Sequence, residues 1–398
     1  MMDALITASA AGQNWRNVAQ DLLKQLMPAL EQNTSRPNIA YLYITDKLVR
    51  DAESLVGILR MATNIPQWVG VTASAVFRDD QLYHDKPAAS CLLLSVAEED
   101  LIPIAVGEDE YQKDLNAFID DYLHKNGHVA HFYCHPELGY RPDLIVNDIY
   151  DQTMAFMTGG VSSARGAHRV FTQDGADHIL AGYAFTGNVP TVSAMFEGFD
   201  DIGKEHEITS CRKNEIFALG GRSATDVLVD DLRGWLADQD GVPPVKADAR
   251  LDTLLAQIPA QGAEIMMAFR CYRHDIVWRK FKYMSAQNEV EGKISSIYRP
   301  EEGDHVAFVL RNAAALKKDL AKNLMALRAR LQAEGKLSSI KGAIYISNIS
   351  RLDKQSPDIE LVLIREILGD IPLVGFYAAA ELSHHSLYNF TGVLTLFL

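Results

Sequence analysis

The feature that most constrains this chain is a motif written twice, at opposite ends of 398 residues. Near the start, Asn38-Ile-Ala-Tyr-Leu-Tyr-Ile-Thr45 is followed by an amphipathic stretch from Asp51 to Thr63. Then come Ile65-Pro66-Gln-Trp-Val-Gly70-Val-Thr-Ala73 and an apolar run from Ala88 to Val96. Near the end the same order returns: Gly342-Ala-Ile-Tyr-Ile-Ser347, Pro357 to Leu368, Ile371-Pro372-Leu-Val-Gly375-Phe-Tyr-Ala-Ala379, then Phe390 to Leu398. Each copy predicts strand, helix, a strand introduced by Ile-Pro and carrying a Val-Gly step, a loop, and a last strand. Proline has no N–H for the ladder and suits a strand's first residue. Glycine inside a strand lets another backbone or a ligand approach closely. A third copy runs from His131-Phe-Tyr-Cys134 through Pro142 to Met154, Phe156-Met-Thr-Gly-Gly160 and His178 to Phe185. A fainter fourth is read from Ile265-Met-Met-Ala-Phe269 to His305-Val-Ala-Phe-Val309. Repetition of such units predicts an α/β fold: two fused domains built from duplicated strand–helix–strand–strand units, with mixed sheets and helices packed outside.

Two long helices frame this pattern. Val18, Leu22, Leu26 and Leu30 recur within Asn14 to Gln32, and Leu316, Leu320, Leu324 and Leu327 within Ala313 to Leu331. The bases of the second, Lys317, Lys318, Lys322, Arg328 and Arg330, read as a solvated face. A polar stretch from Ala237 to Arg250, containing Gly241-Val-Pro-Pro244, is the linker candidate.

Bulk chemistry removes several function classes. The net charge is -14, without a basic run to overrule it, so phosphate backbones are repelled and no nucleic-acid partner is expected. The four cysteines, Cys91, Cys134, Cys211 and Cys271, form no CxxC pair, which argues against a disulfide scaffold or structural zinc. The first residues lack a basic n-region, and no stretch of about 18 apolar residues appears. The expectation is a cytoplasmic protein with no membrane partner.

Catalytic signals are sparse. His124, His128, His131 and His135 are spaced 4, 3 and 4 apart, but Gly127 breaks a helix there and the following residues favour a strand. Gly160-Val-Ser162-Ser-Ala-Arg-Gly166 and Gly220-Gly-Arg-Ser223 both fail the nucleophile-elbow pattern, and no phosphate loop exists. Glu381 followed by His384 and His385 could serve acid–base work or a metal, or simply form a polar hairpin. No CxxCH is present, so any haem would be non-covalent. The chain is therefore expected not to be an enzyme.

Particular strings then carry a resemblance. Glu197-Gly-Phe-Asp-Asp-Ile-Gly203-Lys-Glu-His206-Glu-Ile-Thr209 and Asn214-Glu-Ile-Phe-Ala-Leu-Gly-Gly221-Arg-Ser-Ala224 resemble the N-terminal signature of the FIST family. Pro372-Leu-Val-Gly-Phe, Glu381-Leu-Ser-His384 and Leu387-Tyr388-Asn-Phe-Thr391-Gly-Val-Leu-Thr-Leu resemble its C-terminal signature. The resemblance implies a paired sensory module, an N-terminal domain over 1–230 and a C-terminal one over 231–398, receiving a small ligand such as an amino acid or similar metabolite. Some family members are haem-containing nitric oxide sensors that regulate histidine kinases, which makes haem the alternative cofactor, His384 or His206 its ligand, and a kinase the implied partner. An interaction scaffold without ligand is the second alternative, and oligomerisation is left open. The expected ligand-binding residues are Gly159, Gly160, Arg165, Glu381, His384 and Tyr388, across a hollow between the two domains: Glu381 for an amine, Arg165 for a carboxylate, Tyr388 as a wall. Phe199, Asp201, Gly220, Ser223, the stretch Ile346-Ser-Asn-Ile-Ser-Arg351 and Ala380 depart from the family pattern.

Overall fold

A computed structural model describes residues 5–124, 129–239, 250–258, 264–273, 276–288, 291–352 and 358–398. The linker core Gly241-Val-Pro-Pro244 and His128 lie outside these residues. The first repeat runs β1 (Leu5–Ala11), α1 (Trp15–Gln32), β2 (Ile39–Thr45), α2 (Ala52–Thr63), β3 (Gln67–Ala73), a hairpin of β4 (Ala75–Arg78) and β5 (Gln81–His84), and β6 (Ala88–Leu94). The second runs β7 (Leu101–Val106), α3 (Tyr111–His124), β8 (Val129–Pro136), α4 (Pro142–Thr153), β9 (Phe156–Val161), β10 (Val170–Thr172) and β11 (Leu180–Thr186).

A third repeat opens with β12 (Thr191–Phe196) and is interrupted by a separate compact unit, Glu197–Leu320. That unit holds β13 (Asp200–Asp201), β14 (His206–Arg212), β15 (Glu215–Leu219), β16 (Arg222–Ser223), α5 (Ala224–Ala237), α6 (Leu251–Leu255), β17 (Glu264–Arg273), β18 (Ile276–Asn288), β19 (Lys293–Ser296) and β20 (His305–Arg311). The unit boundary falls within α7 (Ala313–Ala333). The repeat then continues with β21 (Gly342–Asn348), α8 (Ile359–Leu368), β22 (Leu373–Ala378), β23 (Ala380–His384), β24 (Ser386–Tyr388) and β25 (Gly392–Phe397). Unit 1 is thus Met1–Phe196 together with Ala321–Leu398.

Local chemistry sets these elements. Asn14 caps α1 by accepting from the amides of Arg16 and Asn17 at 3.0 and 3.2 Å. Asp358 caps α8 in the same way, through the amides of Glu360 and Leu361. Proline at the first position of α4 costs no hydrogen bond there. β2, β6, β11, β21, β22 and β25 are buried at every residue, which explains their unbroken apolar text.

In unit 1 the three repeats form three mixed sheets with one plan. β2 and β3, β8 and β9, and β21 and β22 pair in parallel, and β6, β11 and β25 return antiparallel beside the first member. Each sheet is then completed by the next repeat. β10 joins β3, β23 joins β9, and β4 of the first repeat joins β22 of the third. One face of all three sheets meets in a common core, with Tyr41, Val71, Tyr133, Tyr183, Ile346, Phe376 and Phe397 among its members. Tyr43 and Tyr133 share a 2.7 Å hydrogen bond inside it. The opposite face of the first sheet packs on α1 and α2 through Val18, Leu22, Leu55 and Leu59.

The strand glycines have specific causes. A Cβ at Gly70 would strike the Phe171 ring at 2.2 Å. One at Gly375 would lie 1.7 Å from the Tyr345 carbonyl oxygen, and one at Gly159 would lie 1.7 Å from that of Cys134. At these last two, parallel strands approach too closely for any side chain.

The fourth repeat is not one. In unit 2, β17 pairs antiparallel with β18 and with β20, and β14, β15 and β19 complete a closed ring of antiparallel strands. Its core packs α5 and α6 through Leu228, Leu232, Leu236 and Leu254. Short apolar runs of equal length suit either architecture; a second strand, β18, occupies the place where the repeat would have its helix.

Candidate functional site

The carboxyl ends of the parallel strands converge in unit 1, where open α/β sheets commonly place ligands. Ser74 donates its amide to Ser163 Oγ at 3.0 Å, Ser163 Oγ bonds the Tyr377 carbonyl, and the Ala379 amide donates to Val161 O at 3.0 Å. Just past this seam the swapped strands begin, and there the repeats part company. Val170 pairs with Val71, Val76 with Phe376, and Glu381 with Gly160. Val71, Gly160 and Phe376 each follow their repeat's strand glycine, so Val76, Val170 and Glu381 hold equivalent positions. Two repeats turn a valine into the core; the third turns a carboxyl group.

That carboxyl is fully buried and well supplied with donors. Asn348 Nδ2 donates to Oε1 at 2.8 Å, and the Thr391 amide and hydroxyl donate to Oε2 at 3.1 and 2.8 Å. Burial pushes the Glu381 carboxyl up to about 8, against the pull of these donors and of Arg351. Asn348 is fixed in turn, its Oδ1 accepting from Ser350 N at 3.0 Å and Ser350 Oγ at 2.6 Å.

Arg351 lies beside Glu381 and is itself buried. It ion-pairs with Glu360 and donates from Nη1 to the carbonyls of Phe196 at 2.9 Å and Phe390 at 3.2 Å. Glu360 also accepts from Ser347 Oγ at 2.5 Å and Tyr345 Oη at 3.1 Å. Asp358, the α8 cap, takes the Tyr377 hydroxyl; burial first, and the Glu360 charge second, push its carboxyl up to about 6. Three buried carboxyls and one guanidinium thus form a network that can hold or release protons.

The expected site residues divide into three groups. Gly159, Gly160, Glu381 and Tyr388 do come together, because Glu381 pairs with Gly160 on one side and Tyr388 on the other, and Leu382 pairs with Gly159. They do so as neighbouring strands of one sheet. No hollow separates them, since a Cβ at Gly160 would touch Ile346, Ala378 and Phe376 at 2.7 to 3.2 Å. Arg165 stands elsewhere: its half-exposed guanidinium is held by Asp46, at 2.6 and 3.1 Å, and by Asp85, so it already has its carboxylates. His384 ends β23 opposite Met157 with φ 59, and its ring packs against Tyr150 and Phe156.

Haem fits this arrangement poorly. His384 Nδ1 meets His385 Nδ1 at 3.0 Å, which leaves Nε2 to offer, but the flanking aromatic rings fill the ground a porphyrin would need. His206 belongs to unit 2, where its Nε2 is bonded to Asp231 at 2.7 Å and a Cβ at Gly203 would collide with that carboxylate. Of the spaced histidines, His131 and His135 share a face of β8, while the His124 side chain and His128 are outside the described residues. No cluster of three or more metal-binding side chains occurs among the described residues.

Sequence reasoning missed Asn348, Arg351, Asp358, Glu360 and Thr391. The signal for the first two was the stretch Ile346 to Arg351, noted only as a departure. For Asp358 and Glu360 it was an acidic cap beside an otherwise apolar helix.

Two family models match successive segments of the chain. The FIST N domain matches residues 7–222 and the FIST C domain residues 249–384. An uncharacterized protein of Mycobacterium tuberculosis is 24% identical over 374 residues, covering 91% of each chain. Another, of Mycobacterium bovis, is 25% identical over 364 residues, covering 87% of each. No described helix is long and apolar enough to cross a membrane. FIST domains are sensory rather than catalytic modules of signal transduction. Matched by both domain models over most of its length, the chain belongs to the FIST family.

Proposed function

We propose that this protein is a non-catalytic sensor of a small amine-bearing metabolite, with the Glu381 network as its response centre. One observation carries the reading: Glu381 sits where two sibling repeats place valine, so the fold has no need of a carboxyl there. A group that burdens its own core is retained for what it does. An ammonium group offers charge-assisted hydrogen bonds stronger than those of Asn348 and Thr391. Because burial pushes the Glu381 carboxyl up to about 8, an ammonium group that displaces Asn348 or Thr391 from it drives its proton off at neutral pH. The signal is then a rearranged buried network, passed to a signalling partner of the histidine kinase kind that family members regulate.

Titration calorimetry across amino acids and simple amines, in buffers of different ionisation enthalpy, tests this. Binding should release about one proton at pH 7, and Glu381→Gln should abolish both the release and the ligand's thermal stabilisation. Absence of binding across the panel at millimolar concentration removes the amine reading. A haem version rests on His384 alone, and protein that develops no Soret band on haem addition disposes of it.

A further inference from the structure

A cavity of about 380 Å3 opens in unit 1 at the amino end of β22, whereas the Glu381 network gathers at the carboxyl ends of the strands. Its walls are β1 at Thr7, the turn after β4 at Arg78 to Asp80, and α8 at Leu361, Ile364 and Arg365. The rim asks for no charged ligand. Arg78 Nε donates to Asp79 at 3.1 Å, and Arg365 is held by Asp80 and, at 3.0 Å, by Asp370. Each guanidinium already has its carboxylate.

What the wall leaves open is backbone. β1 is an edge strand, paired on one side with β6. The Gly12 amide continues that ladder by bonding the Pro87 carbonyl at 3.0 Å, so the even-numbered residues of β1 bond to β6. The odd-numbered ones, Ser9 and Thr7 among them, turn their N–H and C=O outward. At Ser9 one side chain satisfies both: Gln25 Nε2 donates to Ser9 O at 2.7 Å, and Ser9 N donates to Gln25 Oε1 at 3.4 Å. A carboxamide thus stands where a further strand would lie. Gln25 is itself fixed, by Arg78 Nη1 at 2.6 Å and by the Asp21 carbonyl at 3.0 Å. Thr7 presents the same pair one rung further, about 7 Å along the edge, and no described group takes it. That rung lies in the cavity wall, whose other members include the apolar Leu361, Ile364 and Leu373.

We infer that this cavity binds a short extended peptide carrying an apolar side chain, one residue of which exchanges two hydrogen bonds with Thr7. That residue's N–H donates to Thr7 O and its C=O accepts from Thr7 N–H, which continues along the edge what Gln25 does at Ser9. Leu361, Ile364 and Leu373 supply the surface for the side chain, so the backbone pair gives affinity and the apolar wall gives preference. The volume falls within the range usual for small-molecule sites. The site needs no ammonium group, shares no residue with the Glu381 network and stands without it.

The full chain is titrated with N-acetyl-leucine methylamide, with its N-methyl-leucine analogue, which lacks the donor, and with N-acetylglycine methylamide, which lacks the side chain. Calorimetry and thermal unfolding read the result. The leucine compound should bind and raise the melting temperature, and either analogue should bind about tenfold more weakly or worse. Thr7→Pro should weaken the leucine compound to a similar degree, because it removes an N–H that the ladder to β6 does not use, at an edge position where proline is tolerated. Asp370→Trp, at a highly exposed position on the rim, should block the cavity without touching β1. None of these probes carries an amine, and Glu381→Gln should leave their binding unchanged, so failure here is separable from failure of the amine reading. Equal binding of the N-methyl or glycine analogue, unchanged binding by Thr7→Pro, or no binding of the leucine compound at about 10 mM would each overturn the inference.

Discussion

The hairpins beginning at Ala75 and Ala380 do the same structural work with opposite interiors. Each leaves its own repeat to extend a neighbouring sheet, β4 onto β22 and β23 onto β9. At the first, Val76 packs into the shared core among apolar side chains. At the second, Glu381 needs Asn348, Thr391 and the nearby Arg351 to be tolerated at all. An internal repeat thus acts as its own control: what differs between copies is what the fold did not require.

Breaking the ion pair of the polar copy should have the largest effect. Arg351→Met leaves Glu360 buried without its counter-charge, a loss of about 3–5 kcal/mol by urea denaturation. A loss below about 1 kcal/mol would mean the network is not the closed structure described. Gly375→Ala and Gly159→Ala test the backbone that both copies share. Each methyl would fall on a carbonyl oxygen, and each should cost about 2–3 kcal/mol, whereas Gly57→Ala, with open space in α2, should stabilise by about 0.5–1 kcal/mol.

The pH dependence sharpens the contrast further. Folded Glu381 keeps its proton up to about 8, while the unfolded chain gives it up near the ordinary 4.5. Its contribution is therefore present in full below pH 4.5 and drains away as pH rises towards 8, on the order of 4 kcal/mol in all. Asp358 adds the same sign between 3.8 and about 6. Glu381→Gln should flatten the upper part of this slope in thermal melts from pH 5 to 8, and a slope left unchanged would show that Glu381 does not titrate there. Smallest of all, Arg165→Ala should cost less than about 1 kcal/mol and leave amine binding intact, since its ion pairs are half exposed.

Much of this architecture is legible in the sequence because burial on both faces writes itself as continuous apolar text. The Ile-Pro and Val-Gly steps mark β3 and β22 without ambiguity, and both long helices follow from leucine spacing. The false fourth repeat arises where β17 and β20 carry the same apolar length as the true core strands but pair antiparallel. Exchange of hairpins between repeats is invisible, because a strand's text does not name its partner sheet. Glu381 is legible as an acid within an apolar string. Arg165 misleads, since its two carboxylates, Asp46 and Asp85, are distant in sequence. Arg330 reads as one more solvated base of α7, and it is exposed, as is Lys318, which pairs with Asp200.

The hairpin exchange binds the three repeats like people in a circle, each holding the next by the hand. The first repeat's β4 and β5 find their sheet only when β22, made nearly three hundred residues later, arrives. A nascent chain must therefore keep an unpaired sheet margin shielded through most of its synthesis, the long-range closure that slows folding and invites aggregation. Excising any one repeat would open two sheets at once.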